Sequence, residues 1–334
     1  MGAEPDSVAY RLGGVQLQVE SDDRPLLGEL SATFGAPSTG HDGEPEFRLA
    51  ARISADGGQE GFAHVALDSA DAELTSPADL ELGLAAPDFP FRLLPGGAPL
   101  TRFALAGEDE PFFLLNGGDC YVRKTPAWRR AVALLLLQRL MRARRDAIFF
   151  HAGSLALEGR ALLLIGPKGA GKSTLTLALA SRGHRLLGDE QACYRPRTRE
   201  ILPFLRPVGV KPGPRAAAVE QALRRLGRHP ERDGMMRLAP AELLPGRVAV
   251  ESAPLSAVVF LDGFAGAPRL DLVTPGRREL GSLQPVGSSL VNAPPGERVL
   301  QMARMLADAR VARLVAGTPD DTAALLEERL RPWR

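Results

Sequence analysis

The stretch ALLLIGPKGAGKSTLTLALAS, residues 161–181, decides how this chain is read. Five apolar residues (161–165) run into a loop with glycines at 166, 169 and 171, and a helical run follows from Lys172 to Ser181. GPKGAGKS, residues 166–173, fits G-x-x-x-x-G-K-[ST], the Walker A pattern, in the strand-loop-helix setting that the pattern requires. Glycines there let backbone N–H groups close around phosphate oxygens, and the helix start adds its positive end. Gly166, Pro167, Lys168, Gly169, Ala170, Gly171, Lys172, Ser173 and Thr174 are therefore the candidate nucleotide-binding set. Lys172 is expected to bridge the β- and γ-phosphates as a solvent-facing ammonium, and Ser173 to ligate Mg²⁺. Lys168 is either a second γ-phosphate contact or a solvated loop residue.

Working outward, Glu158-Gly159 reads as a two-residue hairpin turn between residues 147–157 and 160–165. That register places His151 opposite Gly166, beside the loop, as a catalytic or acid-orienting residue. His41, His64, His184 and His229 have no comparable argument. Downstream, Gly183 reads as the residue past the helix end, and 185–188 as the next strand. In a β-α-β crossover that strand lies parallel to the loop strand, delivering Asp189 and Glu190 to the same carboxyl edge. An acid there can hold Mg²⁺, and a second can accept a hydroxyl proton. AVVFLD, ending in Asp262, imitates a Walker B strand and competes with Asp189 for the metal, although a core strand explains it equally well.

Only four of the 41 basic residues are lysines: Lys124, Lys168, Lys172 and Lys211. Two fall in the loop. Lys211, closing Arg206-Pro-Val-Gly-Val-Lys, is expected with Arg206 at the phosphate cleft or the way into it. Charge divides the chain near residue 120. Residues 1–120 carry 21 Asp and Glu against 6 Arg, net −15, and the remainder is net +16. An acidic first half is no polyphosphate clamp, but it suits a basic polypeptide. Its short alternating runs, among them VQLQVES, EFRLAARIS and GFAHVALD, predict an antiparallel β domain over 1–124 with one helix at 26–34. Thr125-Pro126 then opens a predicted amphipathic helix, 127–145, whose arginines form a solvated face. A catalytic domain would span 125–334, with a further arginine-rich helix at 216–227, a linker at 228–234, a buried strand at 255–261 and a terminal helix pair at 296–307 and 320–331. Two cysteines exclude a disulfide framework and a multi-cysteine zinc site. With no leader or spanning run in the sequence, the cytoplasm is the expected compartment.

At His151, GPKGAGKS, Arg182-Gly183-His184-Arg185-Leu186 and Asp189-Glu190 the sequence resembles the C-terminal catalytic domain of HPr kinase/phosphorylase and its relatives, P-loop proteins of phosphoenolpyruvate carboxykinase topology. The resemblance covers about residues 147–212 and extends loosely to the C-terminus. It implies an α/β P-loop kinase core behind a separate β-rich N-terminal domain, with ATP and Mg²⁺ as cofactors. It also implies His151 beside the phosphates, Asp189 at the metal and Glu190 acting on the acceptor's proton. The chain departs from the family at Glu190, where a second aspartate is usual, and at Phe204, where the family carries an acidic metal ligand. Phosphorylase activity and HPr as substrate are therefore not carried over. The pattern is closer to HPr-kinase-like proteins of peptide-modification pathways, including those of the lasso-peptide type.

The expectation is an ATP-dependent kinase for a serine of a peptide or protein, with catalytic residues His151, Lys172, Asp189 and Glu190 and metal ligands Ser173 and Asp189. A small-molecule kinase and a nucleotide-dependent scaffold protein are the alternatives. A polypeptide partner, basic for preference, is expected; nucleic acid and membrane are not, and a homo-oligomer stays open.

Overall fold

Alternation of apolar and polar residues builds the first of two units, Met1–Arg145 and Asp146–Arg334. The computed structural model describes residues 5–38, 44–55, 60–69, 91–95, 101–105, 107–116, 119–210, 224, 236–283, 285–289 and 295–330. In the first unit β1 (Asp6–Leu12) and β2 (Val15–Ser21) pair through Gly13-Gly14. Both turn residues have positive φ, the left-handed backbone that favours glycine. VQLQVES buries Val15, Leu17 and Val19 and turns Gln16 and Gln18 away, as period-two alternation demands. Then come α1 (Arg24–Phe34), β3 (Phe47–Ser54), β4 (Phe62–Ser69), β5 (Phe91–Leu93), β6 (Thr101–Leu105), β7 (Phe113–Asn116) and β8 (Asp119–Arg123). The strands form one sheet in the order β1-β2-β3-β4-β8-β7-β6-β5. Every pair is antiparallel except β2 and β3, which α1 connects as a crossover, so the antiparallel expectation fails at that one place. Asp23 caps α1 by accepting from the Leu26 amide at 2.9 Å.

The helix expected to open the catalytic domain, α2 (Trp128–Ala143), belongs to the first unit instead. The boundary lies between Arg145 and Asp146, past the change in composition. Arg129 of α2 forks onto both oxygens of Asp23, at 2.8 Å each, and so ties α2 to the cap of α1. Nor is the arginine face solvated throughout. Arg139 and Arg144 are fully buried, Arg142 nearly so, and Arg144 pairs with Glu46 at 2.7 Å.

The second unit is a sheet with helices on both faces. Its strands are β9 (Ile148–Phe150), β10 (Ala152–Leu157), β11 (Arg160–Ile165), β12 (Arg185–Gly188), β13 (Ala192–Arg195), β14 (Glu200–Leu202), β15 (Val208–Val210), β16 (Met236–Leu238), β17 (Ala253–Phe264), β18 (Arg269–Leu272), β19 (Pro285–Ser289) and β20 (Arg310–Ala316). Among them lie α3 (Lys172–Ser181), α4 (Pro240–Leu243), α5 (Arg277–Ser282), α6 (Pro295–Asp308) and α7 (Pro319–Leu330). The order is β12-β10-β11-β17-β14-β13-β9-β19, with β20 on β17 and β18 on β20, while β15 and β16 pair by themselves. Strands β11, β17 and β20 are mutually parallel and central. One face packs Leu162, Leu164, Val259 and Leu261 against α3 and α7; the other packs Leu163, Val258 and Phe260 against Met305 and Leu306 of α6. The terminal helices were expected as a consecutive pair, but β20 runs between them. The expected helix at 216–227 and linker at 228–234 lie, Arg224 apart, outside the described residues.

No described helix is long and apolar enough to cross a membrane. Cys120 and Cys193 are buried and form no disulfide.

Candidate nucleotide site

Residues 161–165 of β11 are all buried, so the loop that follows starts from the best-anchored part of the sheet. Gly169 and Gly171 hold φ of +85° and +89°, which an L side chain rarely adopts. A Cβ at Gly166 would lie 3.0 Å from the Ala170 methyl and 3.1 Å from Leu261, so the loop closes tightly over β17. Gly171 is the N-cap of α3, and the first N–H groups of a helix have no partner within it. An anion cradle results, with Pro167, Lys168 and Gly169 exposed and Ser173 and Thr174 half-buried.

Lys172 departs from its expected solvent-facing pose. It is 7% exposed and folds back so that its Nζ donates to the carbonyls of Gly166, at 2.7 Å, and Pro167, at 3.2 Å. Burial pushes its pKa down, and the charges of Asp189 and Glu190 push it back up. Lysine and acid pair are therefore within electrostatic reach of each other.

The acids reach the expected edge by way of β10. Strand β12 does not adjoin β11; it pairs antiparallel with β10, which pairs antiparallel with β11. Two reversals restore the direction, so β12 still runs parallel to the loop strand and ends on the same edge. The β10–β11 register is the expected one, with Ala152 opposite Ile165 and Leu157 opposite Arg160. His151 falls just outside it, half-buried at the break between β9 and β10 and level with Gly166 by extension of the ladder.

Asp189 is 4% exposed, and among the described residues neither of its carboxylate oxygens has a hydrogen-bond partner of good geometry. Its pKa is pushed up to about 7, chiefly by burial; the Ser173 hydroxyl opposes that shift and the Glu190 charge adds to it. A buried carboxylate left without partners is costly unless something positive completes it. Gly153 of β10 makes the room: a Cβ there would lie 2.3 Å from Thr176 Oγ1 and 3.8 Å from Asp189 Oδ1. Thr176 Oγ1 is likewise buried without a partner. Gly153 and Thr176 carry no sequence signature of their own, and only the three-dimensional contact singles them out.

Glu190 occupies the left-handed region at φ +66°, in a tight turn closed by the Gln191 amide donating to the Asp189 carbonyl at 2.9 Å. Its side chain is 41% exposed, with Arg206 Nη1 at 3.7 Å from Oε2. Arg206 also donates to Gln191 Oε1, so it lies at the acid pair. Lys211 lies outside the described residues. Phe204, where the resemblance led us to look for an acid, donates its amide N–H to the Leu187 carbonyl of β12 at 2.7 Å and meets the Phe149 ring edge-on. It lies beside the acids yet offers them no ligand.

Asp262 is not a metal acid in this arrangement. Arg313 holds it at 2.6 Å and Arg278 at 3.4 Å. Arg182 and His184, from the Arg-Gly-His-Arg-Leu run, meet not phosphate but Glu327 of α7.

Whether the site suits Mg²⁺ turns on the unpartnered Asp189 carboxylate beside the Ser173 hydroxyl, and the two fit. Among the described residues no cluster of three His, Cys, Asp or Glu side chains forms a protein-only metal cage. Mg²⁺ does not need one, because it usually takes one or two carboxylates plus substrate phosphates.

No family model matches the chain, and no curated protein matches it. Among solved structures it is similar to the HPr(Ser) kinase/phosphatase from Coxiella burnetii, at 14% identity, over 55% of this chain and 93% of that one, with a TM-score of 0.27. At that similarity the chemistry of the site has to be read from its own geometry.

Proposed function

We propose that the chain is an ATP-dependent phosphotransferase acting on a serine hydroxyl of a peptide or protein. One juxtaposition supports this above all: two neighbouring carboxylates of opposite character, close enough to the Walker lysine to shift its pKa. Asp189 is buried beside the Ser173 hydroxyl, with no hydrogen bond of good geometry among the described residues, and is fit to hold a cation. Glu190 is open to solvent, where a bulky acceptor can reach it.

Residues 166–174 would cradle the triphosphate, with Lys172 leaving the Gly166 and Pro167 carbonyls to take β- and γ-phosphate oxygens. Ser173 and Asp189 would hold Mg²⁺, which neutralises phosphate charge when bound. Glu190 takes the proton of the serine hydroxyl as its oxygen bonds to the γ-phosphorus and the bond to the β-phosphate oxygen breaks, releasing ADP. Arg206 steadies Glu190 and faces the transferring group, and His151 orients the acid or phosphate from the loop side. The acidic first unit supports a basic polypeptide as acceptor.

The test is mass spectrometry of peptides encoded beside the gene after incubation with the chain, ATP and Mg²⁺. A phosphoryl mass on a serine is expected. ATP hydrolysis that no acceptor alters, with no phosphoserine formed, would overturn the reading.

A further inference from the structure

A shallow depression, open to solvent, lies against the flank of the phosphate loop, lined by Gly171, Thr174, Leu261, Phe264, Gly317 and Pro319 among others. Its aromatic wall is the product of a β-bulge. Strand β17 pairs Leu261 with Leu314 and Phe264 with Ala316 of β20, so three steps on one strand match two on the other. Leu261 faces α3. Strict alternation would turn residue 264 to the opposite face, but the extra residue, with Gly263 at φ +113°, brings Phe264 round to the side of Leu261. There its ring edge meets the loop: a Cβ on Gly171 would lie 3.3 Å from Phe264 Cζ.

We propose that this pocket receives the base of the nucleoside triphosphate, with Phe264 as its stacking platform, and that it discriminates poorly between adenine and guanine. The inference rests on the loop binding a nucleotide and goes further, to donor specificity. The occupant follows from position, because Gly171 and Thr174 belong to the phosphate cradle and also line the pocket. Weak discrimination follows from the lining, which holds no charged or carboxamide side chain. Thr322, one of its two hydroxyls, accepts from the Gly317 amide at 2.9 Å and donates to the Thr318 carbonyl at 2.6 Å. The Ala316 carbonyl is taken by the Ala265 amide at 2.8 Å. The Thr322 hydroxyl and the Ala316 carbonyl are thus engaged within the protein, and a mainly apolar pocket with few polar groups separates similar ligands only weakly.

Calorimetric titration with ATP, GTP and tripolyphosphate, each with Mg²⁺, tests the proposal. ATP and GTP should bind within about tenfold of each other, and tripolyphosphate at least ~5-fold more weakly, the lower end of what base stacking on an aromatic ring contributes. Phe264→Ala should weaken ATP and GTP by about tenfold and leave tripolyphosphate unchanged, which also shows that the variant is folded; Phe264→Trp should keep the wild-type values. Tripolyphosphate binding as tightly as ATP, a larger gap between ATP and GTP, or an unchanged ATP affinity in Phe264→Ala would each overturn it. If Phe264→Ala binds none of the three, Phe264→Trp decides: base affinity kept supports stacking, and base affinity lost overturns it. Failure of all three ligands to bind the wild-type chain would instead refute the nucleotide reading of the loop itself.

Discussion

His184 Nε2 donates to Glu327 Oε1 at 2.7 Å, which fastens the segment after α3 to the C-terminal helix α7. Arg182 adds a second grip on the same carboxylate, with Nε at 3.0 Å and Nη2 at 2.7 Å. The phosphate-loop helix is therefore held at its far end by a charged clamp.

That clamp sets a pH dependence. The Arg182 and His184 contacts bring the Glu327 pKa down to about 2, below its ordinary 4.5. A depressed carboxylate pKa stabilises the fold above the unfolded value, and the contribution fades as pH falls from 4.5 towards 2. Glu327→Gln should cost about 1 kcal/mol at pH 7 in urea unfolding, because solvent screens this partly exposed clamp. The gap to the wild type should narrow below pH 4.5.

Asp189 has the opposite sign. Its pKa is raised in the fold, so its contribution is fully present below the unfolded value of 3.8 and is lost as pH rises through about 7. In thermal melts without nucleotide or Mg²⁺, Asp189→Asn should melt higher than the wild type at pH 8, with the gap narrowing through pH 5 and closing near pH 4. The same variant should lose Mg²⁺-nucleotide turnover with or without acceptor.

Glu190 separates strain from chemistry. A non-glycine residue at φ +66° carries about 1–2 kcal/mol of backbone strain. Glu190→Gly should raise unfolding stability by up to about 1 kcal/mol, the loop entropy of glycine offsetting part of the relief, and should abolish transfer. Glu190→Gln should keep stability and nucleotide affinity while slowing acceptor phosphorylation by about 10²–10⁴-fold, measured as steady-state transfer.

Gly153 tests the packing behind the acid. The Cβ of Gly153→Ala would collide with Thr176 Oγ1, so the variant should lose about 1–3 kcal/mol and part of its turnover. Adding Thr176→Ala removes the obstructing hydroxyl. In a double-mutant cycle of urea unfolding the pair should recover much of the loss, a coupling that two independent sites would not show.

Local chemistry is what the sequence made legible. The loop, its strand and its helix lie within residues 160–181, and a two-residue turn at Glu158-Gly159 leaves little freedom in register. Long-range placement was not legible. No pattern in the chain shows that β10 lies between β11 and β12, or that α2 joins the first unit. The buried arginines of that helix look, letter by letter, like a solvated face. Phe264 was hidden for another reason: a bulge of one residue reverses which side a strand presents, and alternation read from the sequence assumes that none exists. The buried Lys172 reflects a loop whose own carbonyls are the nearest acceptors for its ammonium.

Strand β11 is flanked by full ladders on both sides, β10 and β17, whereas β12 has β10 on one side and only short segments on the other. Those segments contribute the Leu186 amide to the Arg247 carbonyl at 2.7 Å, the Ala249 amide to the Leu186 carbonyl at 2.8 Å, and the Phe204 amide to the Leu187 carbonyl. Local openings start where bonding is thinnest, so amides of β12 should exchange with deuterium sooner than those of β11. The lysine loop and the acid pair then persist on different timescales. A fluctuation that frees the rim of the sheet would carry Asp189 and Glu190 away while the lysine loop stays formed, and under the proposed function such a molecule would still bind phosphate without the groups that pass it on.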